Sequence, residues 1–261
     1  KSEEHSGMHK FYKWLCLVFA GFVFSAMNTL SASAEVTLPS INIGFQSANT
    51  PDEFSKGIQI LILLTILTLA PSIIILATSF TRIVIVLSLT RQAIGTAQLP
   101  PNQVIVGLAL ILTFFVMSPT INKIYDTAYN PYMENKITQQ EALKRGIEPM
   151  RDFMFKYTDE KELAMFVKMA KIQKPANKDD VPTYVLLPSF ILSELKTAFK
   201  IGFMIFIPFL VIDIVVSSIL VSMGMLFLPP TTISMPFKII LFVMVDGWHL
   251  IAKSLVEGFL R

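Results

Sequence analysis

The chain has 261 residues, of which 53% are hydrophobic and only 16% charged, with a net charge of +3 and a mean hydropathy of +0.59. Soluble domains carry about 25% charged residues, so this composition excludes a disordered chain and argues against an ordinary soluble enzyme. A single cysteine excludes a disulfide scaffold, and the scattered basic residues exclude a nucleic-acid footprint. The first element is read as a secretory signal peptide over residues 1–34. His9, Lys10 and Lys13 precede an apolar run from Trp14 to Met27, and Ala32-Ser33-Ala34 supplies a small-residue cleavage site. The other reading is an uncleaved anchor, for which the run is shorter than the ~20 residues a span requires. Residues 35–56, with Pro39, Asn42, Gly44, Asn49 and Pro51, read as a polar lead-in.

From Gly57 to Thr81 there are 25 residues without a charge, enough to cross a bilayer, with a kink expected at Pro71. The apolar pattern runs on past Arg82 to Arg91 and breaks at Pro100-Pro101. A second run, Val104 to Met117, is expected to end at Pro119. Residues 57–121 thus form a first helical hairpin, with Arg82 and Arg91 flanking its turn as cytoplasmic-side cations do. Residues 122–184 hold 11 Lys/Arg and 10 Asp/Glu, so they read as a water-facing domain. Leu143, Ile147, Met150, Phe153 and Tyr157 recur at helical spacing there, and Leu163, Phe166 and Ala170 mark a second short helix.

The region 185–261 is apolar but interrupted by charge. Glu194, Lys196 and Lys200 lie in one apolar run, Asp213 follows it, and Lys238 and Asp246 lie further on. A charge at mid-membrane costs at least ~2.5–3.5 kcal/mol, so these helices must pair their charges within a protein assembly or stand outside the lipid. Pro229-Pro230 divides 214–228 from 233–258 into a hairpin. Its tip contains Met223, Gly224, Met225, Leu226, Phe227 and Leu228, apolar where a loop is normally polar. Such a tip is either a short buried turn in a bundle or a surface where several copies meet around an axis.

These residues resemble the FliP family of type III export-gate subunits. The resemblance rests on Thr78-Ser79-Phe80-Thr81-Arg82 through Leu87, Pro100-Pro101-Asn102-Gln103-Val104, Leu192-Ser193-Glu194-Leu195-Lys196 through Phe203, Phe206-Ile207-Pro208-Phe209, and Pro236 through Trp248. It covers about residues 57–258. It implies an all-α fold of kinked helical hairpins in a membrane-associated ring of about five copies, with a small helical water-facing domain. The implied function is the channel of the flagellar protein export gate, passing unfolded flagellar subunits. The implied place is the bacterial inner membrane at the flagellar basal body, projecting to the periplasmic side. Implied partners are further copies of the chain, the Q and R components of the gate, the B and A components of the export apparatus, exported chains in transit and membrane lipid. By the same resemblance Glu194 and Lys238 bridge neighbouring copies, and Phe153 and Phe166 support assembly. Arg82, Asp213 and Asp246 are further buried charges. Met223, Met225, Leu226 and Phe227 form the pore gasket. Here the sequence departs from the family pattern, which places three methionines after the glycine.

Two other readings stay open at this level. The injectisome relative of this subunit shares the motifs. A small-molecule or ion transporter could use Asp213, Asp246 and Glu194 as a proton relay, although no internal repeat supports it. Asp246 and His249, three residues apart, could pair as a dyad, but no further His or Cys lies near to complete a metal site. No phosphate-binding glycine loop occurs, and neither catalysis nor a cofactor is expected.

Overall fold

The computed structural model describes residues 51–260 apart from 97, 174 and 226, and side chains between 58 and 259. The expected signal peptide and most of the expected lead-in therefore lie outside the described residues. The chain divides into two units, Lys1–Gly57 and Ile58–Arg261, and the hydrophobic core belongs to the second. Among the described residues the fold is all helical. Helix α1 spans Pro51–Leu76, α2 Phe80–Ile94 and α3 Asn102–Ile124. A π-helical turn, Tyr125–Tyr129, joins α3 to the short α4, Asn130–Met133. Beyond it lie α5 (Gln139–Tyr157), α6 (Glu160–Met169), α7 (Thr183–Ser222), α8 (Pro230–Met244) and α9 (Gly247–Leu260).

Helix α2 is the centre of the packing. Ile83, Val86, Leu87 and Thr90 recur at helical spacing and are fully buried, facing α7 and α3. On α7 the answering residues are Leu186, Phe190 and Ala198, with Gly202 lying where a Cβ would overlap the Leu89 side chain. Helix α2 stops at Gly95, whose left-handed φ of 86° lets its N–H close on the carbonyl of Gln92. Helices α3, α5 and α9 complete the core with Ile105, Ala109, Val116, Phe153, Met154, Leu255 and Phe259.

Two expected breaks move. Helix α3 does not end at Pro119; it continues to Ile124 and passes into the π turn, where the Asn130 N–H bonds the carbonyl of Tyr125. Proline removes one hydrogen bond, and an apolar segment packed against neighbours tolerates that loss. The return limb of the last hairpin, in contrast, is not continuous over 233–258. It bends by 60° between α8 and α9, at Val245 and Asp246. Asp246 takes a left-handed φ of 50°, and a Cβ on the buried Gly247 would run into the Phe242 ring.

The charged segment 122–184 is built by capping. Thr138 accepts the Glu141 N–H at the start of α5, and Asp159 accepts the Lys161 N–H at the start of α6. Arg151 fastens the loop before α7, donating to the carbonyls of Lys178 and Val181 and to the Thr183 hydroxyl at 3.2, 2.7 and 2.6 Å.

Among the described residues three helical stretches are long and apolar enough to cross a membrane: Ile58–Leu76, Asn102–Met133 and Thr183–Ser222. The bent α8–α9 pair would make a fourth if taken as one span. The 40 residues of α7 extend about 60 Å, twice the ~30 Å of a hydrocarbon core. From Ile58 onward α1 exposes nearly every side chain, including Leu61, Leu63, Ile66 and Leu67.

Candidate functional site

Arg82 enters the core from the first turn of α2 and meets Glu194 on α7. Its Nε donates to Glu194 Oε2 at 2.8 Å, and Nη2 donates to Oε1, a two-pronged pair. Glu194 is 0% exposed and Arg82 is buried with it. The guanidinium lies over the Phe259 ring, 3.9 Å from the centroid, with Tyr157 at 5.5 Å. The Tyr157 hydroxyl donates to the carbonyl of Phe259, and Phe153 packs against Tyr157, Phe190 and Phe259. Four helices therefore converge on one ion pair. Its desolvation is offset by bidentate geometry and by aromatic faces that suit a weakly hydrated guanidinium.

The second cluster joins α7 to α8. Lys238 is 5% exposed and donates to Asp213 Oδ2 at 2.6 Å. The Ser234 hydroxyl donates to Asp213 Oδ1 at 2.5 Å. Serine and lysine four residues apart on α8 present both donors to one carboxylate, which remains about one-third exposed.

A third cluster clamps α6 to α7. Lys196 Nζ donates to Asp159 Oδ2 at 2.9 Å and Glu162 Oε1 at 3.0 Å, and the Asp159 N–H donates to the Ser193 hydroxyl at 2.9 Å. The Lys196 hydrogen bond, and then the Lys161 N–H, hold the Asp159 carboxyl below its ordinary pKa.

Within the single chain Glu194 and Lys238 pair not with one another but with Arg82 and Asp213. Each already has another counter-ion on its own chain, and Glu194 has no accessible surface to offer a neighbour. Arg82 is buried as expected, Asp213 only partly so. Asp246 is exposed, because it sits in the two-residue break where α8 turns into α9. Phe153 belongs to the chain's own core, and Phe166 packs half-buried against that core. Sequence reasoning missed Lys196 with Asp159 and Glu162, Ser234, and the Tyr157–Phe259 contact. Asp159 and Glu162 three residues apart were a readable cue for a cation-binding face; Phe259 had none.

The tip follows from the way α7 ends. Gly224 adopts a left-handed φ of 76°, its N–H bonds the carbonyl of Val221, and the Met225 N–H bonds that of Leu220. This double closure stops the helix and turns the chain sharply. Met223 is 64% exposed, Met225 half-buried and Phe227 fully exposed, while Leu226 lies outside the described residues. Among the described residues no group of three or more His, Cys, Asp or Glu is placed to hold a metal ion.

Comparison with known proteins bears on the same residues. The sequence model of the FliP family matches residues 63–255, a range that holds all three charge clusters apart from Phe259, and the tip. The flagellar biosynthetic protein FliP of Bacillus subtilis (strain 168) is 54% identical over 217 residues, covering 83% of this chain and 98% of that protein. The FliP of Pectobacterium carotovorum subsp. carotovorum is 53% identical over 211 residues, 81% of this chain and 82% of its own length. That of Aquifex aeolicus (strain VF5) is 48% identical over 247 residues, 94% and 97% of the two chains.

Proposed function

We propose, from the premise that this chain belongs to the FliP family, that it is a core subunit of the flagellar type III protein export gate. It is a channel subunit rather than an enzyme, and passes unfolded flagellar proteins across the bacterial inner membrane, projecting to the periplasmic side. The observation that carries this reading is the 54% identity over nearly the full length of a flagellar FliP. The relatives compared are all named as flagellar proteins, which favours the flagellar over the injectisome reading. The transporter reading loses support because Glu194 and Asp213 are each engaged by a separate cation of the same chain, Arg82 and Lys238, rather than with one another.

In this proposal about five copies close a ring with the Q and R components, next to the B and A components. Helix α1 and the outer faces of α7 and α8 meet lipid and neighbouring chains, since an apolar surface of that extent does not stay in water. Glu194 and Lys238 support the ring by fixing the shape of each copy through Arg82 and Asp213. Phe153 holds α5 against α7 for the same end, and Phe166 offers the edge of α6 to a neighbour. Met223, Met225, Leu226 and Phe227 gather at the axis as a seal that parts for each exported chain.

The test is replacement. Expressed in a Bacillus subtilis strain lacking its own FliP, this chain is expected to restore hook and flagellin export and swimming. If the chain reaches the membrane in normal amount and export stays absent, the assignment fails.

A further inference from the structure

Charge pairing over residues 183–259 is almost complete. The charged side chains there are Glu194, Lys196, Lys200, Asp213, Lys238, Asp246, Lys253 and Glu257. Glu194 pairs with Arg82, Lys196 with Asp159 and Glu162, Asp213 with Lys238, and Lys253 with Glu257. Within this stretch of the described residues only Lys200 and Asp246 are left without a salt-bridge partner, one cation and one anion. Both are exposed, and both stand in apolar surroundings. Phe199, Phe203 and Met204 flank Lys200, and Val243, Met244 and Val245 flank Asp246.

The two also lie at nearly the same height along the hairpin. Asp213 on α7 faces Lys238 on α8, and Phe209 faces Phe242 with ring centroids 6.3 Å apart. Each residue gained along α8 thus matches one lost along α7, and Asp246 falls level with residue 205. Lys200 is five residues further, about 7 Å along the axis, within reach of its own side chain. Within one chain the two groups form no salt bridge. Asp246 is exposed at the bend, with a left-handed backbone, a conformation glycine adopts without strain.

We infer that Lys200 of one copy pairs with Asp246 of the next, a head-to-tail contact between the α7 face and the α8–α9 bend. The inference rests on the proposed ring and adds to it the charged pair that sets which faces meet. A head-to-tail interface uses two different patches of the same chain, here the Lys200 face of α7 and the Asp246 bend. An unpaired charge in an apolar interface is unfavourable on either side, so the complementarity also rejects a neighbour docked in the wrong register.

Cysteine cross-linking tests it on the full chain in membranes. In a Cys16→Ser background, Lys200→Cys with Asp246→Cys is expected to give covalent dimers and longer ladders on oxidation, and each single substitution none. Charge exchange gives a second, independent reading. Lys200→Asp and Asp246→Lys should each lower export at least several-fold, and the two together should recover a substantial part. Oligomers that form without cross-links, with the exchange no better than its single changes, overturn the pairing alone. An unaltered chain that gives no oligomer with its gate partners overturns the ring and the pairing together.

Discussion

Arg82 and Glu194 illustrate how one buried contact can matter more for its absence than for its presence. Glu194→Ala leaves the guanidinium under Phe259 without a counter-ion, at a cost of about 3–5 kcal/mol. Thermal unfolding in detergent should therefore shift sharply downward, and the double change Arg82→Met, Glu194→Leu should shift it much less. Equal stability of Glu194→Ala and the parent would contradict the role given to this pair. Asp159 makes a weaker, pH-dependent counterpart. Its folded pKa lies below its unfolded value, so the α6 clamp is fully stabilising above about pH 3.9. That contribution is lost as pH falls through the lowered folded value. Hydrogen exchange in α6 is expected to accelerate over that acid range in the parent, and to lose this acid dependence in Asp159→Asn.

Among the elements, the α8–α9 bend and the end of α7 are the places where a single glycine decides the path. Gly247→Ala places a methyl group against the Phe242 ring, and overpacking of this kind costs about 1–3 kcal/mol. Loss of the Phe242–Trp248 contact, now 5.2 Å between centroids, should appear as a change in tryptophan fluorescence. An unchanged spectrum and unchanged stability would show that the bend relaxes freely. Much of this architecture was legible in advance. The uncharged run after Gly57, the break at Pro100-Pro101, the helical pattern through Tyr157 and the apolar tip all follow from local spacing. The ends of α3 and α8 did not, because a proline can be carried inside a packed helix, and Asp246 bends the chain by a backbone angle that composition does not reveal. The charge partners were hidden for another reason. Arg82 and Glu194 are 112 residues apart and Asp213 and Lys238 are 25 apart, so only the packing of α7 between α2 and α8 brings them together.

At the level of the molecule, Arg82, Glu194 and Lys238 are buried while α1 and the outer faces of α7 and α8 leave a large apolar surface exposed, an inversion of what a soluble domain shows. That inversion is what an assembly subunit needs, and it makes the tip testable apart from the scaffold. Met223→Ala with Phe227→Ala removes exposed side chains that touch no part of the core cluster. Individual methionine and aromatic contacts contribute about 0.3–1.5 kcal/mol, so assembly should persist while the seal weakens. The expected outcome is a normal amount of assembled complex and raised ion conductance across membranes that carry it. Normal tightness in an assembled variant would remove the tip from the sealing role.

The length of α7 has a mechanical meaning. Its lower part is gripped at Glu194 and Lys196, and its upper part is gripped at Asp213, with Pro208 lying between the two grips. Proline lacks the N–H that would tie it to the preceding turn, which makes this a soft joint between the two grips. The stretch from Pro208 to Ser222 is about 21 Å long, so a 10° bend at the joint carries the tip sideways by about 4 Å. If about five copies surround an axis as proposed, small rotations at the proline would act as an iris, widening the aperture by up to twice that distance.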